Sequence, residues 1–489
     1  MANTSTAILQ DLRTDFENLV ALVTSPEAHT ATLDQMERSV FRRILHLGLQ
    51  LLRLFIATRV EAETHTPYTC PEGRVLPYHS QQPADYFSVF GKVTFRRAYF
   101  YRLGQSCCPL DTALSLPARC YSDFLMEVAG LLAVDGVFDK GLEVLSRLLT
   151  LDLPKLALET WVREESALVT AFYDQKANFP VTSEGRLLVA QADGKGVPMK
   201  RSEAAQPPVR RGKGDKKTCK KEAIATTVYT IAPYPRTPQD VVDALFQTST
   251  PDTRPERPRP CHKQVFASLN GKAWALQRLQ ERVRQREGVH IQDRVALTDG
   301  ALALQRQMRE KLSGFTLVLD IIHVDEYLWK AGTALYGETD PQRDQWVKAQ
   351  LLDLLSSHTE QVIQRLDDKT RGLRKTSQAC KVLRQVANYF RRNQAYMGYA
   401  AYLQRGWPIG TGVIEGVCRH VVKDRMELSG MRWTVAGADA LLALRSVNEN
   451  SDWEEFHAFR RARCHEERYG TPLPETWLNQ AERLDIKGI

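Results

Sequence analysis

The chain has 489 residues, with 66 Lys and Arg against 58 Asp and Glu, for a formal net charge of +8. That length is too great for one simple core and implies about two to four folding units. The longest apolar stretch, Leu45 to Ala57, is too short to span a bilayer and carries Arg53, which excludes a transmembrane helix there. The first residues show no basic region followed by an apolar core, so no signal peptide is expected and the protein is read as cytoplasmic. The nine cysteines include no C-x-x-C pair. This argues against a zinc ribbon and, in the cytosol, against structural disulfides. A charge excess of this size favours an anionic partner only where it is clustered.

In chain order, residues 5 to 62 predict two helices. Leu9, Leu12, Phe16, Leu19 and Val23 repeat at helical spacing, and Met36, Val40, Ile44 and Leu47 do so again. Such stripes either dock on the body or pair two protomers. The aromatic and β-branched run FSVFGKVTFRRAYFYR predicts a hairpin through Gly91. Arg96, Arg97 and Arg102 interleave there with Tyr99, Phe100 and Tyr101, a pattern that suits nucleic acid and equally a solvated strand face. Between residues 121 and 176, amphipathic segments flank a break at Thr150 to Pro154. This is the outline of a helix-turn-helix reader, although most helical hairpins bind no DNA.

From Arg186 the pattern alternates. RLLVAQADGKGVPMK predicts an apolar strand running into Asp-Gly, Thr226 to Ile231 a second strand, and Leu276 to Arg286 a helix. RVALTDG predicts a short buried strand ending in another Asp-Gly, Ala301 to Leu312 a helix, and FTLVLDIIHV a further strand. That order fits a mixed α/β sheet. A basic segment between Lys200 and Lys221 contains Arg210, Arg211, Lys213, Lys216 and Lys217, and a proline-rich connector ends at Lys263. Both predict exposed loops, and the first is a candidate phosphate contact. Residues 325 to 400 predict helix, ahead of the distinctive RGWPIGTGVIEGVCRHVVKDRMELSGMRW.

Three acids stand out by setting. Asp193 follows the apolar run LLVAQA, Asp299 ends VALT, and Glu415 opens a helix with the apolar stripe Val413, Ile414, Val417, Cys418, Val421 and Val422. Strand, strand and helix are the supports that a ribonuclease-H-like fold gives its metal-binding carboxylates. Phosphodiester cleavage benefits from two divalent ions about 4 Å apart, and magnesium prefers hard oxygen ligands. Each acid also has a plainer reading, since Asp-Gly after a strand is a common turn signal and a first-turn Glu favours the helix dipole.

The segments QADGKGVPM, LTDGALALQRQM, LDIIHVDEYLW and WPIGTGVIEGVCRHVVKDRMELSGMRW resemble the motifs of bacterial insertion-sequence transposases of the Kra type, within the Mutator-like superfamily of DDE transposases. The resemblance covers most of residues 66 to 460 and is strongest from 186 onward. It implies a ribonuclease-H-like catalytic core interrupted by a helical insertion before the final Glu. Carried over motif by motif, it assigns catalysis and metal binding to Asp193, Asp299 and Glu415. An Asp-x-x-His signature falls on Asp320 and His323, which makes Asp320 the rival to Asp299 as second ligand. Arg425, Arg432 and Trp433 lie in the last motif, where they either grip DNA or lock the helix against the sheet.

The expected architecture is a multidomain α+β protein. N-terminal helices (1–64), a small β element (65–112) and a helix-turn-helix-like region (113–182) precede the ribonuclease-H-like core. That core spans 183–337 and 403–450 around a helical insertion at 338–402, and a C-terminal tail covers 451–489. The expected cofactor is a pair of Mg²⁺ ions, with Mn²⁺ as a substitute. The expected partner is double-stranded DNA, both transposon ends and target, bound in the nucleoid by a homodimer or larger assembly and with no membrane involved. The alternatives are a non-enzymatic DNA-binding protein derived from a transposase, and a nuclease on the same core without strand transfer.

Overall fold

The computed structural model describes residues 4–149, 151–200, 220–247, 256–428 and 430–473, in a mixed α+β architecture. The basic residues Arg210, Arg211, Lys213, Lys216 and Lys217 lie outside the described residues. The chain divides into two compact units, Met1–Phe172 with Asp452–Ile489, and Tyr173–Ser451. Among the described residues no helix is long and apolar enough to cross a membrane.

In the first unit, helix α1 (Thr4–Thr24) pairs with helix α2 (Leu33–Glu61). Thr32 starts α2 with a capping box, its side chain accepting from Gln35 N while its own N–H reaches Gln35 Oε1 at 2.9 Å. Strands β1 (Tyr68–Thr69) and β2 (Val75–Leu76) form one small ladder. Strands β3 (Tyr78–Ser88), β4 (Gly91–Arg102) and β5 (Gln105–Cys107) form an antiparallel sheet whose first turn runs through Gly91. Ile56 of α2 packs with Val93, Phe95 and Leu110 against that sheet. The helices Asp123–Asp135, Phe138–Leu149 and Lys155–Ser166 follow. The segment expected to be a tail instead supplies a helix, Trp453–Tyr469, whose Arg460 pairs with Glu165 at 2.6 Å.

The second unit is built on a five-stranded sheet in the order β10-β9-β6-β7-β8. Strand β6 is Leu187–Pro198, β7 Lys220–Ile231, β8 Cys261–Ser268, β9 Asp293–Thr298 and β10 Thr316–Leu319. Strands β6, β7 and β8 pair antiparallel, whereas β9 and β10 run parallel to β6. Two corrections concern strands. β8 falls partly inside the stretch read as a connector, and the run FTLVLDIIHV does not remain a strand: β10 stops at Leu319, and Asp320 caps a helix, Ile321–Tyr336.

Side chains along β6 alternate between two cores, as the pleat requires. Leu187 and Val189 join one cluster with Val295, Leu297 and Val318, while Leu188, Ala190 and Ala192 join another with Leu276 and Leu304. The first face is covered by the helices Ile321–Tyr336, Pro341–Leu355, Thr359–Arg371, Gln378–Asn393 and Tyr399–Gln404. Helix Val435–Glu449 and the residue after it guard the open edge of β8. Ser446 and Asn450 accept from the Ala267 and Val265 N–H groups, so no row of backbone donors is left along that stretch of edge.

Candidate functional site

The register of the parallel strands brings the acids to one level. Gln191 of β6 stands opposite Leu297 of β9, so two residues further on Asp193 and Asp299 are neighbours. Thr298 stands opposite Leu319 of β10, so the next step sets Asp299 beside Asp320. Adjacent strands lie about 4.8 Å apart. Three aspartates therefore form a row across three adjacent parallel strands, just past the ends of β9 and β10 and within β6.

Each is held differently. Asp193 lies inside β6, not in a turn, and its Oδ1 accepts from Gly194 N at 2.6 Å while Oδ2 accepts from Cys418 Sγ at 3.4 Å. Asp299 does sit in a turn. Gly300 has φ +90°, and a Cβ there would lie 2.9 Å from the Tyr389 ring, so both backbone and space demand glycine. Tyr389 Oη donates to the Asp299 carbonyl at 2.9 Å, and Arg392 Nη2 to the Gly300 carbonyl at 3.0 Å. Tyr399 Oη likewise donates to the Leu319 carbonyl at 2.9 Å, just before Asp320. The helices Gln378–Asn393 and Tyr399–Gln404 thus brace the backbone on which two of the acids ride.

Asp320 is fully buried and saturated. Its Oδ1 accepts from Ile322 N at 3.3 Å and Thr411 N at 2.9 Å, and its Oδ2 from His323 N at 3.1 Å and His323 Nδ1 at 2.6 Å. Burial pulls the Asp320 carboxyl up, but the bonds from His323 and Thr411 outweigh it and hold it below its ordinary value. The bond to Asp320 pushes the His323 ring up to about 9, against burial and with help from Asp299. Both shifts favour a carboxylate beside an imidazolium.

Glu415 rides on a six-residue helix, Gly412–Val417, that continues as a π-helical turn, Cys418–Lys423. Two buried polar groups moor the start of this helix. Ile414 N donates to Gln191 Oε1 at 2.9 Å, and Thr411 N donates to Asp320. Thr411 Oγ1 then donates to Glu415 Oε1 at 3.0 Å. The π turn sets Cys418 against Asp193, and π turns recur at functional sites. Burial pushes the Cys418 thiol up, with Asp193 adding to the shift, so it stays a neutral donor. Burial also pushes the Asp193 carboxyl up, despite the bonds from Gly194 and Cys418, and Asp299 adds to the rise.

Asp320, His323 and Glu415 offer ligand atoms all within 4.8 Å of one another, a group that could hold a metal ion. Distance alone does not decide which members are vacant. A carboxylate offers about four lone-pair sites, and all those of Asp320 are taken. Asp299 Oδ1 accepts from Ala301 N and Glu415 Oε1 from Thr411, but among the described residues neither Asp299 Oδ2 nor Glu415 Oε2 accepts a hydrogen bond.

The remaining predicted residues fall nearby. Arg425 is wholly buried with its guanidinium 5.0 Å over the Trp433 ring, so it locks the helix and is not available to grip DNA. Trp433 Nε1 donates to the Met426 carbonyl at 3.0 Å, and its backbone pairs beside Met199 at the end of β6. Arg432 is exposed. Sequence reasoning missed Gln191, Thr411, Tyr389, Tyr399 and Cys418. The signal for Gln191 was available: it is a polar residue in the run LLVAQAD.

No protein-family model matches the chain, and no curated protein matches it in sequence. A solved structure described as the Drosophila P element transposase strand transfer complex is similar at 9% identity, over 74% of this chain and 85% of that one. Its TM-score is 0.25, an overlay too loose to transfer any residue or activity.

Proposed function

We propose that the chain is a DDE transposase, a polynucleotidyl transferase that cuts DNA at the ends of a mobile element and joins them to target DNA. The observation that carries this reading is the row of Asp193, Asp299 and Asp320 across three adjacent parallel strands, with Glu415 within ligand distance of Asp320. Three antiparallel strands continued by two parallel ones, with helices inserted between β10 and the Glu415 helix, support a ribonuclease-H-like core.

The donor set fits divalent cations. Asp193, Asp299 and Glu415 are hard oxygen donors, and the Asp193 carboxyl, pushed up by burial with a smaller contribution from Asp299, is a group whose charged form a cation would favour. Those three would hold two Mg²⁺ ions, with Mn²⁺ as a substitute, and the bound ions would supply charge stabilisation to the attacking and leaving oxygens. Asp320 and Gln191 serve as the frame that fixes Glu415 relative to the strand ends. The His323 imidazolium, close to Asp299, attracts a phosphate oxygen. Water attacks a phosphorus at the element's end as the P–O3′ bond breaks, and the freed 3′-hydroxyl then attacks a phosphorus of target DNA, breaking that strand's own P–O3′ bond and leaving its 3′-oxygen to take up the proton. Arg432 and the basic segment that includes Arg210 and Lys216 are the proposed DNA contacts. Both DNA ends must be held together for coupled joining.

The test is strand cleavage of supercoiled plasmid with Mg²⁺ or Mn²⁺, followed by joining of an oligonucleotide that bears the element's end. Wild type is expected to nick and to join. Asp193→Asn is expected to lose cleavage and keep DNA binding. Cleavage retained by Asp193→Asn would remove that residue from the site, cutting without joining would make the protein a nuclease, and binding without any nicking would leave only a DNA-binding protein.

A further inference from the structure

The N-terminal helical hairpin leaves a two-helix apolar face uncovered. Leu19 of α1 and Leu47 of α2 are buried where the helices meet, and the Asp15–His46 contact at 3.3 Å fixes their alignment. One residue further round each helix lies a second apolar stripe. On α1 it holds Phe16, Val20 and Val23, and on α2 Phe41, Ile44, Leu51 and Phe55, with exposures between 44% and 59%. In antiparallel helices, stripes rotated in the same sense from the mutual contact point to the same side, so these two form one face. At roughly 100 Å² of exposed side chain each, seven such residues amount to about 700 Å². A standard interface buries about 800 Å² per partner, and contiguous patches of this size are rare on monomers.

The α2 stripe also has a symmetry that names its occupant. Outward from Gly48, whose place on the stripe is covered by the Phe90 ring, the residues run Ile44 and Leu51, then Phe41 and Phe55, then Glu37 and Arg59. Apolar faces apolar, first at four and three positions from Gly48 and then at seven on either side, and at eleven on either side acid faces base. We infer that this face pairs with a second copy of the chain, two α2 helices lying antiparallel about a two-fold axis near Gly48. Phe41 then meets the partner's Phe55, Ile44 meets the partner's Leu51, and Glu37 meets the partner's Arg59. An isologous contact requires this self-complementarity, because each residue must suit the image of its opposite number. The charged ends specify the antiparallel register, since a parallel pairing would set Glu37 against the partner's Glu37. Phe90, at the tip of the β3–β4 turn, fills the centre of the joint. The inference stands apart from the catalytic reading, and it makes the chain a dimer before any DNA is bound.

The experiment is sedimentation of the full chain without DNA across micromolar concentrations. Wild type is expected to sediment as a dimer. Leu51→Glu with Phe55→Glu is expected to give a monomer of unchanged far-UV circular dichroism, because both side chains are at least half exposed in the single chain. Glu37→Arg is expected to weaken the dimer about tenfold through two like-charge contacts, and adding Arg59→Glu to restore it. A monomeric wild type, or a double-Glu variant that dimerises like wild type, would overturn the interface. Failure of the charge exchange to restore affinity would overturn the register.

Discussion

At the scale of single residues, the two aspartates that end β9 and β10 make opposite demands on the protein. Asp320 accepts four hydrogen bonds in a fully buried setting and neutralises His323. Replacing it with Asn keeps a capping oxygen but turns an NH2 toward donors and removes the charge facing the half-buried His323, at a cost of about 2 kcal/mol. Asp299 is half-buried and has an oxygen to spare, so Asp299→Asn is expected to melt like wild type without metal. Melting curves with and without Mg²⁺ distinguish the two. Asp299→Asn should lose the metal-induced rise, and Asp320→Asn should melt lower in both. The reverse pattern would make Asp320 the ligand. This distinction was not legible in the sequence, where both acids simply follow short apolar strands. It depends on what approaches each carboxylate from Thr411, more than ninety positions downstream of Asp320 by the numbering. Asp193 was legible as an acid ending an apolar run, but its Asp-Gly pair stays extended in β6, whereas the same pair at Asp299 makes a turn.

At the scale of elements, the short Glu415 helix depends on its moorings. Six residues are too few for a helix to hold its own position, and Gln191 supplies one of its two anchors to the sheet. Gln191→Leu would leave the buried Ile414 N–H without an acceptor and remove the donor to Tyr229, which stands 3.0 Å from Gln191 Nε2. The expected cost is about 1–3 kcal/mol in urea unfolding. Cleavage should suffer more, by about 100-fold, because a displacement of about 1 Å at a reacting centre is enough for such a loss. Gln191→Glu keeps an acceptor for Ile414 and should recover part of the rate. A rate unchanged in Gln191→Leu would show that the helix holds its place without this anchor. The elements themselves were read well where periodicity was long and poorly where it was short. Ile321, Ile322 and Val324 are β-branched and read as strand, yet Asp320 caps them into a helix and the sheet ends at Leu319. β8 was obscured because its start, CHK, is polar and follows a proline-rich run.

At the scale of the whole molecule, the chain leaves its first unit near Phe172 and returns to it from Asp452. The returning helix brings charge into that unit's interior. Arg460 pairs with Glu165 and Asp123, Arg461 pairs with Glu127, and His457 is fully buried between them. Burial, reinforced by Arg460 and Arg461, pushes the His457 ring down to about 3. Burial pushes the Glu165 carboxyl up to about 7, against the pull of Arg460. The two groups act on stability in opposite senses. Below its ordinary value of 6.5, an unfolded His457 takes a proton that the folded one refuses, so its contribution is present above pH 6.5 and lost as pH falls toward 3. Folded Glu165 keeps a proton that the unfolded chain releases, so its contribution is present below pH 4.5 and lost as pH rises through 7. Between pH 4.5 and 6.5 these slopes oppose one another, and below 4.5 only that of His457 remains. Over the remaining pH interval down to about 3, this amounts to about 2 kcal/mol. His457→Phe keeps the ring stacked on Trp161 and edge-on to Trp453 while removing two ring nitrogens that have no hydrogen-bond partner among the described residues. Urea unfolding at pH 7, 5 and 3.5 should find the variant at least as stable as wild type at neutral pH, with its advantage growing at each step toward acid. An advantage that does not grow as the pH falls would mean that His457 gains its proton inside the fold, and that the carboxylates of Glu127 and Glu165 around it hold an imidazolium instead of a neutral ring.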